Sequence, residues 1–178
     1  PHYVEIEHHQ PADVSDLLKQ KIIDMVKDAL DAFNLNNGAS HTEVMITRDG
    51  NVHIIELAGR MGGDFIGSSM VELSTGYDFI KGVIEISIDT FNPVYELDFI
   101  NTYSGVYYIL AKAGTVTQII DNSKTFTNVI EVIPLVKLGD HVNELIDGSA
   151  KRAGVFIYSS ATKKSIYNPQ EILNIITK

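Results

Sequence analysis

Residues 41–58 read HTEVMITRDGNVHIIELA, and this stretch decides the fold. His41 to Thr47 and Val52 to Ala58 are β-rich alternating runs, joined by Arg48-Asp49-Gly50-Asn51. Asp-Gly between two such runs is the strongest short-range signal for a β-hairpin. With Asp49 and Gly50 as the central residues of a two-residue turn, Arg48 pairs with Asn51. Counting outward sets Thr47 against Val52, Ile46 against His53, Met45 against Ile54, Val44 against Ile55 and Glu43 against Glu56. The two glutamates then share one face of the sheet with Met45, Ile54, Thr47 and Val52, so the acids border an apolar strip.

Directly opposed Cβ atoms lie about 4.5–5.5 Å apart. Two like charges ~5 Å apart at an effective dielectric of ~20 repel by roughly 3 kcal/mol. Such a pair needs one carboxylate protonated, a cation between the two, or side chains that splay into solvent. A register shifted by one residue would turn the acids to opposite faces.

Outward from the hairpin, Arg60 follows Glu56 by four residues, and Gly62-Gly63 comes next. An arginine there can reach phosphate oxygens bidentately, and glycines let a backbone approach a ligand closely. Separately these are a solvated charge and a turn. Together, two acids, an arginine and a glycine pair fit Mg²⁺ with phosphates, since Mg²⁺ prefers one or two carboxylates plus phosphate oxygens.

Upstream, His2 to Ile6 reads as a short strand. Leu18, Ile22, Met25, Ala29 and Phe33 recur at helical spacing, with Asp13 or Ser15 as N-cap and Asn36-Asn37-Gly38 as the stop. Downstream, Ser68–Ser74 and Tyr77–Ile88 read as short helices broken at Gly76. Beyond Asn92-Pro93 the texture turns β-rich, with strands expected at 103–112, 115–120, 129–136 and 152–159, and a final helix from Pro169 to Ile176. The expected fold is α+β: an antiparallel sheet with helices in residues 1–92, then a small β-rich domain in 93–178.

The chain has 178 residues and no cysteine, which excludes a disulfide framework and a thiolate metal site. Its 14 Lys+Arg against 23 Asp+Glu leave a net charge of −9, which argues against nucleic acid or an anionic membrane as partner. No apolar run approaches the ~18–20 residues of a membrane span. A cytoplasmic setting is the expectation.

The stretch HTEVMITRDGNVHIIELAGRMGGDFIGSSMVELSTGYD resembles the end of an ATP-grasp domain, most of all the branch of L-amino-acid ligases and carnosine-synthase-like enzymes. The resemblance implies that Glu43 and Glu56 bind the Mg²⁺ (or Mn²⁺) ions bridging the phosphates of ATP. It also implies that Arg60 contacts the transferred phosphate and the acyl intermediate, with Gly62 and Gly63 beside the nucleotide. Glu5-Ile-Glu-His8-His9 matches a family strand whose polar residues contact nucleotide or phosphate. Glu5 and His8 carry over there, with His9 the alternative to His8 and two surface histidines the plain reading. Met45 packs on adenine or is a core methionine, and Asp64 falls where the family varies its amino-acid pocket. Ala58 departs from biotin-carboxylase-like relatives, which carry Asn there, and so removes one possible metal ligand. The segment AGVFIYSSATKKS is similar to the small C-terminal domain of the same branch.

The resemblance implies an ATP-dependent ligase that joins a small-molecule carboxylate to an amine through an acyl phosphate. The alternatives are a carboxylase or carbamoyl-phosphate-synthase-like enzyme, and a non-catalytic ATP-grasp scaffold. No glycine-rich lid flanked by lysine-bearing strands occurs in the chain, and it opens at Pro1 inside a strand-like run. It therefore reads as a fragment that lacks the N-terminal part of the same protein and is inactive alone, with a homo-oligomer as a possible state.

Overall fold

Apolar residues crowd two runs, 103–109 and 154–160, and in the computed structural model these form neighbouring antiparallel strands. The structure describes residues 4–93, 100, 102–144, 147–162 and 167–178. In chain order the strands and helices are β1 (Glu7–Gln10), α1 (Asp16–Ala32), β2 (His41–Ile46), β3 (Val52–Ala58), α2 (Val71–Thr75), α3 (Phe79–Ser87), β4 (Tyr103–Ile109), β5 (Gly114–Asp121), β6 (Val129–Pro134), β7 (His141–Val142), β8 (Gly154–Ser160), α4 (Pro169–Ile172) and β9 (Leu173–Thr177). A π-helical turn, Ile66–Met70, leads into α2.

Contacts divide the chain into two compact units, and the division differs from a cut at residues 92 and 93. One unit comprises Pro1–Pro11, Leu73–Gly76 and Phe99–Lys178; the other comprises Ala12–Glu72 and Tyr77–Asp98. The N-terminal strand joins the β-rich unit because β1 pairs with β4, Glu7 opposite Tyr107 and Gln10 opposite Ser104.

In the β-rich unit a four-stranded sheet runs β1-β4-β8-β6, and a three-stranded sheet runs β7-β5-β9. Strand alternation puts Tyr107 and Ile109 of β4 on one face with Phe156 and Tyr158 of β8, and these join Val116, Ile172, Leu173 and Ile175 in the core. Tyr107 stacks on Phe156 with ring centroids 5.1 Å apart, and Tyr167 meets Phe156 edge-on at 5.6 Å. Such aromatic pairs add about 0.5–1.5 kcal/mol beyond burial.

The second unit holds α1, the β2–β3 hairpin, the π-helical turn and α3. Ser15 caps α1, its hydroxyl accepting from the Leu18 N–H at 3.3 Å, and Asp78 caps α3 by accepting from the Lys81 N–H at 2.8 Å. Among the described residues no helix is long and apolar enough to cross a membrane.

Several sequence expectations shift. The first strand is Glu7–Gln10 rather than 2–6, because the ladder with β4 begins at Glu7; His2 and Tyr3 of the expected strand lie outside the described residues. The helix α1 ends at Ala32, with Asn34 in the left-handed region at φ 55°, before the Asn36-Asn37-Gly38 stop. The expected final helix is one turn, Pro169–Ile172, after which Leu173–Thr177 becomes a strand paired with β5. Alternating burial of Leu173 and Ile175 against that sheet outweighs local helix propensity. The short strand β7 has no clear sequence signal.

Candidate functional site

The hairpin connection is one residue longer than a two-residue turn. The Thr47 N–H donates to Asn51 O at 2.9 Å and the Gly50 N–H donates to Thr47 O at 2.9 Å, so Arg48, Asp49 and Gly50 form the loop. Gly50 takes φ 79°, the left-handed conformation that closes this longer turn at least steric cost. The turn is held by its own side chains: the Thr47 hydroxyl donates to the Asp49 carboxylate, and the Asn51 amide donates to it at 2.6 Å. The Thr47 bond first, then a backbone N–H and the Asn51 amide, hold the Asp49 carboxyl below the usual carboxylate range.

The longer loop shifts the inner ladder by one residue. Ile46 lies opposite Val52, Met45 opposite His53 and Val44 opposite Ile54. A β-bulge at Ile55 then shifts it back, so Glu43 lies opposite Glu56, Thr42 opposite Leu57 and His41 opposite Ala58. The acids are therefore directly across from each other on one face, as the turn count expected, but the face around them differs. Met45 and His53 accompany the acids, while Val52 and Ile54 lie on the opposite face with Val44. Beside the acids the face is open, with an exposed Met45, and His53 stands where Ile54 was expected. Bulges recur beside functional sites because the extra residue re-aims the side chains next to it.

Both carboxylates are about half exposed, at 47% for Glu43 and 54% for Glu56. Arg60 Nη2 stands 3.6 Å from Glu56 Oε1, and Arg60 Nη1 donates to Met61 O at 2.9 Å, which folds the guanidinium back over the start of the glycine loop. His41 Nε2 stands 3.8 Å from Glu43 Oε1. These ion-pair distances are long. Two hard oxygen donors facing each other on an open surface, each only loosely engaged, fit a divalent cation that keeps phosphate or water oxygens in its remaining positions.

His41 was not singled out in the sequence, although it opens the decisive stretch. Its ring lies against Gly62: a Cβ on that glycine would stand 2.9 Å from His41 Nδ1 and 3.3 Å from the Ile66 Cβ. Gly62 thus lets the loop after Arg60 close onto the histidine that flanks Glu43, whereas Gly63 has open space around it. Met45 is exposed and belongs to no core. Asp64 and Phe65 follow the glycines in the left-handed region, at φ 50° and 63°, which turns the chain into the π-helical turn.

Glu5 and His8 lie in the β-rich unit. Glu5 precedes β1, and its main-chain carbonyl accepts from Arg152. The His8 ring meets Tyr108 edge-on, with centroids 6.1 Å apart. His9 turns to the core side of the strand, where Nδ1 lies 2.8 Å from the Tyr158 hydroxyl and the ring meets Tyr107 at 5.2 Å. Its Nε2 is 3.5 Å from the Glu7 carboxylate. The neighbouring Tyr107 phenol is pushed up, by burial first and by the Glu7 charge after the Tyr167 N–H, which works the other way.

Residues 2–68 match the ATP-grasp domain family. The chain is 26% identical over 132 residues to an L-arginine-specific L-amino acid ligase of Bacillus subtilis, a match covering 73% of this chain and 32% of that protein. In three dimensions it superimposes on a phosphoribosylglycinamide synthetase from Anaerococcus prevotii with a TM-score of 0.80 at 23% identity, covering 98% of this chain and 46% of the other. An L-amino acid ligase from Bacillus licheniformis gives a TM-score of 0.80 at 22% identity, covering 99% and 45%. The chain spans about a third of the first relative and under half of each solved protein.

Proposed function

The chain carries an ATP-grasp domain segment over residues 2–68, and from that premise we propose that it is the metal- and phosphate-handling portion of an ATP-dependent carboxylate–amine ligase. The observation that carries this reading is the opposition of Glu43 and Glu56 on an exposed face, with Arg60 beside the second acid. Similarity to an L-amino acid ligase favours amide-bond formation between small molecules over the other ATP-grasp chemistries.

Glu43 and Glu56 would hold Mg²⁺ or Mn²⁺. The ion, when bound, neutralises charge on the β- and γ-phosphates of ATP. The chain's own contribution is positioning and electrostatics. The bulge at Ile55 and the side-chain-locked turn would serve to hold the two carboxylates opposite each other on one face of the hairpin. Arg60 supplies a planar, permanently charged donor set where negative charge develops as the γ-phosphoryl passes to a substrate carboxylate. An amine then attacks the resulting acyl phosphate, forming the C–N bond as the C–O bond to phosphate breaks. Glu5 and His8 serve the nucleotide from the end of β1, and Met45 offers an apolar surface to adenine. Gly62 and Gly63 let the loop backbone come close to the phosphates. The rest of the active site belongs to other parts of an ATP-grasp protein, and this chain alone is expected to turn over little or no ATP.

The test is Glu56→Gln in the full-length ligase, which keeps the shape and removes the charge. Phosphate release should fall on the order of a thousandfold, with the melting temperature nearly unchanged. Mn²⁺ binding, titrated in the presence of ATP, should be lost in this variant. Normal kcat in this variant would refute the assignment.

A further inference from the structure

Arg152 is buried, with 3% of its side chain exposed, and the reading above gives it no task. Burying a guanidinium costs several kcal/mol unless it is well paired, and an apolar residue of similar size is often as stable at such a position. Its contacts show what the charge is used for. Nε and Nη2 both donate to the main-chain oxygen of Glu5, at 3.1 and 2.8 Å. Nη2 also lies 3.4 Å from the Glu5 carboxylate Oε2. The guanidinium carbon stands 3.6 Å above the Tyr108 ring, whose edge contact is with the His8 imidazole.

Both ends of this arrangement have a reason. The main chain around Arg152 is pinned, because its own N–H donates to Ser149 O at 3.1 Å and the next N–H, of Ala153, donates to Ile109 O at 2.8 Å. Glu5 has no comparable frame. It lies two residues before the β1 ladder begins, and among the described residues the last backbone bond toward it is the Tyr108 N–H to Ile6 O at 2.9 Å. A strand end of this kind frays unless something holds it. The fork of Arg152 takes the place of the missing ladder bonds, and the stacked Tyr108 ring carries the same constraint to His8. The Glu5 side chain remains half exposed while one of its oxygens faces the arginine.

We infer that Arg152 is a positioning residue for the nucleotide: it fixes the main chain at Glu5 and, through Tyr108, the ring of His8. This rests on the reading that Glu5 and His8 contact the nucleotide. Lysine cannot replace the arginine here, because an ammonium neither forks onto a carbonyl nor stacks flat on a ring.

The test is a double-mutant cycle in the full-length ligase, with Arg152→Lys, Glu5→Gln and the pair. Arg152→Lys should raise KM for ATP about tenfold while kcat changes less than about threefold, the pattern of lost nucleotide binding without lost chemistry. In the Glu5→Gln background the same change should raise KM by less than about threefold, because the residue through which it acts is already impaired. Tyr108→Leu, which removes the ring and leaves the fork, should shift KM the same way by a smaller factor, and it stands in if the lysine variant does not fold. An impaired Glu5→Gln with fully additive effects overturns the role of Arg152 alone. An unaltered KM in Glu5→Gln overturns both that role and the assignment of Glu5 to the nucleotide, whereas normal turnover in Glu56→Gln separately removes the metal reading. An unaltered KM in Tyr108→Leu, where that variant is the one measured, also overturns the inference.

Discussion

The β2–β3 hairpin and the β1-β4-β8-β6 sheet are both antiparallel, yet they are built in opposite ways. The hairpin closes on itself through a three-residue loop, and the face that carries its two acids is open, with both about half exposed. The sheet joins residues far apart in the chain: Arg152 reaches Glu5 across 147 positions and Tyr158 reaches His9 across 149. Its central strands are almost wholly buried. The difference teaches where each property resides. The hairpin keeps its two acids at the surface on a locally determined scaffold. The buried core is drawn from several strands between Tyr107 and Ile175 and taken out of water.

The comparison is broken most severely in the buried sheet. Phe156→Ala removes the ring stacked on Tyr107 and should cost about 3–5 kcal/mol in denaturant unfolding. Metal binding by a chain that still folds should be unchanged. A loss below ~1 kcal/mol would show that the sheet is not the main source of stability.

A middle-sized effect concerns the bulge. Deleting Ile55 continues the inner register without interruption, so Glu56 still falls opposite Glu43, but the strand loses its bend. Mn²⁺ affinity, measured by titration with ATP, should fall by about three- to tenfold and not vanish. Complete loss would mean that aiming by the bulge matters more than opposition, and no loss would mean that opposition suffices.

The smallest effect is expected at the exposed turn. The folded hairpin holds Asp49 below the usual carboxylate range, chiefly through the Thr47 hydroxyl. A depressed value means that the stabilisation is present above the ordinary aspartate range and is lost as pH falls through the folded value. Acidification below that range should loosen the wild-type turn slightly, as read from amide exchange at Gly50. Asp49→Ala should remove that pH dependence, and an identical acid response in the variant would show that the carboxylate plays no part.

The hairpin was legible because its signals are local. Asp49-Gly50 marks the reversal, and period-two alternation marks both arms, so β3 was placed at its observed bounds. The opposition of Glu43 and Glu56 was also legible, although two one-residue features cancel behind it. The loop takes in Arg48 and shifts the ladder one way, and Ile55 bulges and shifts it back. No pattern in residues 41–58 announced either, which is why Val52 and Ile54 were expected on the face of the acids. The part of His41 is not legible in the sequence because it depends on lying against Gly62.

By itself the sequence determined the hairpin with one acid on each arm, the arginine and glycines that follow, and the ATP-grasp resemblance those residues carry. The hairpin depends on turn chemistry and side-chain alternation over residues 41–58, where few competing arrangements exist, and the resemblance rests on the residue types of 41–78. Tertiary structure alone decided that Glu7–Gln10 pairs with β4, that Leu173–Thr177 becomes a strand, and that Arg152 clamps the start of β1. Each of these depends on a partner brought from far along the chain. Such a contact forms only when the burial and hydrogen bonds it gains exceed the entropy of closing a long loop, and no local pattern records that balance.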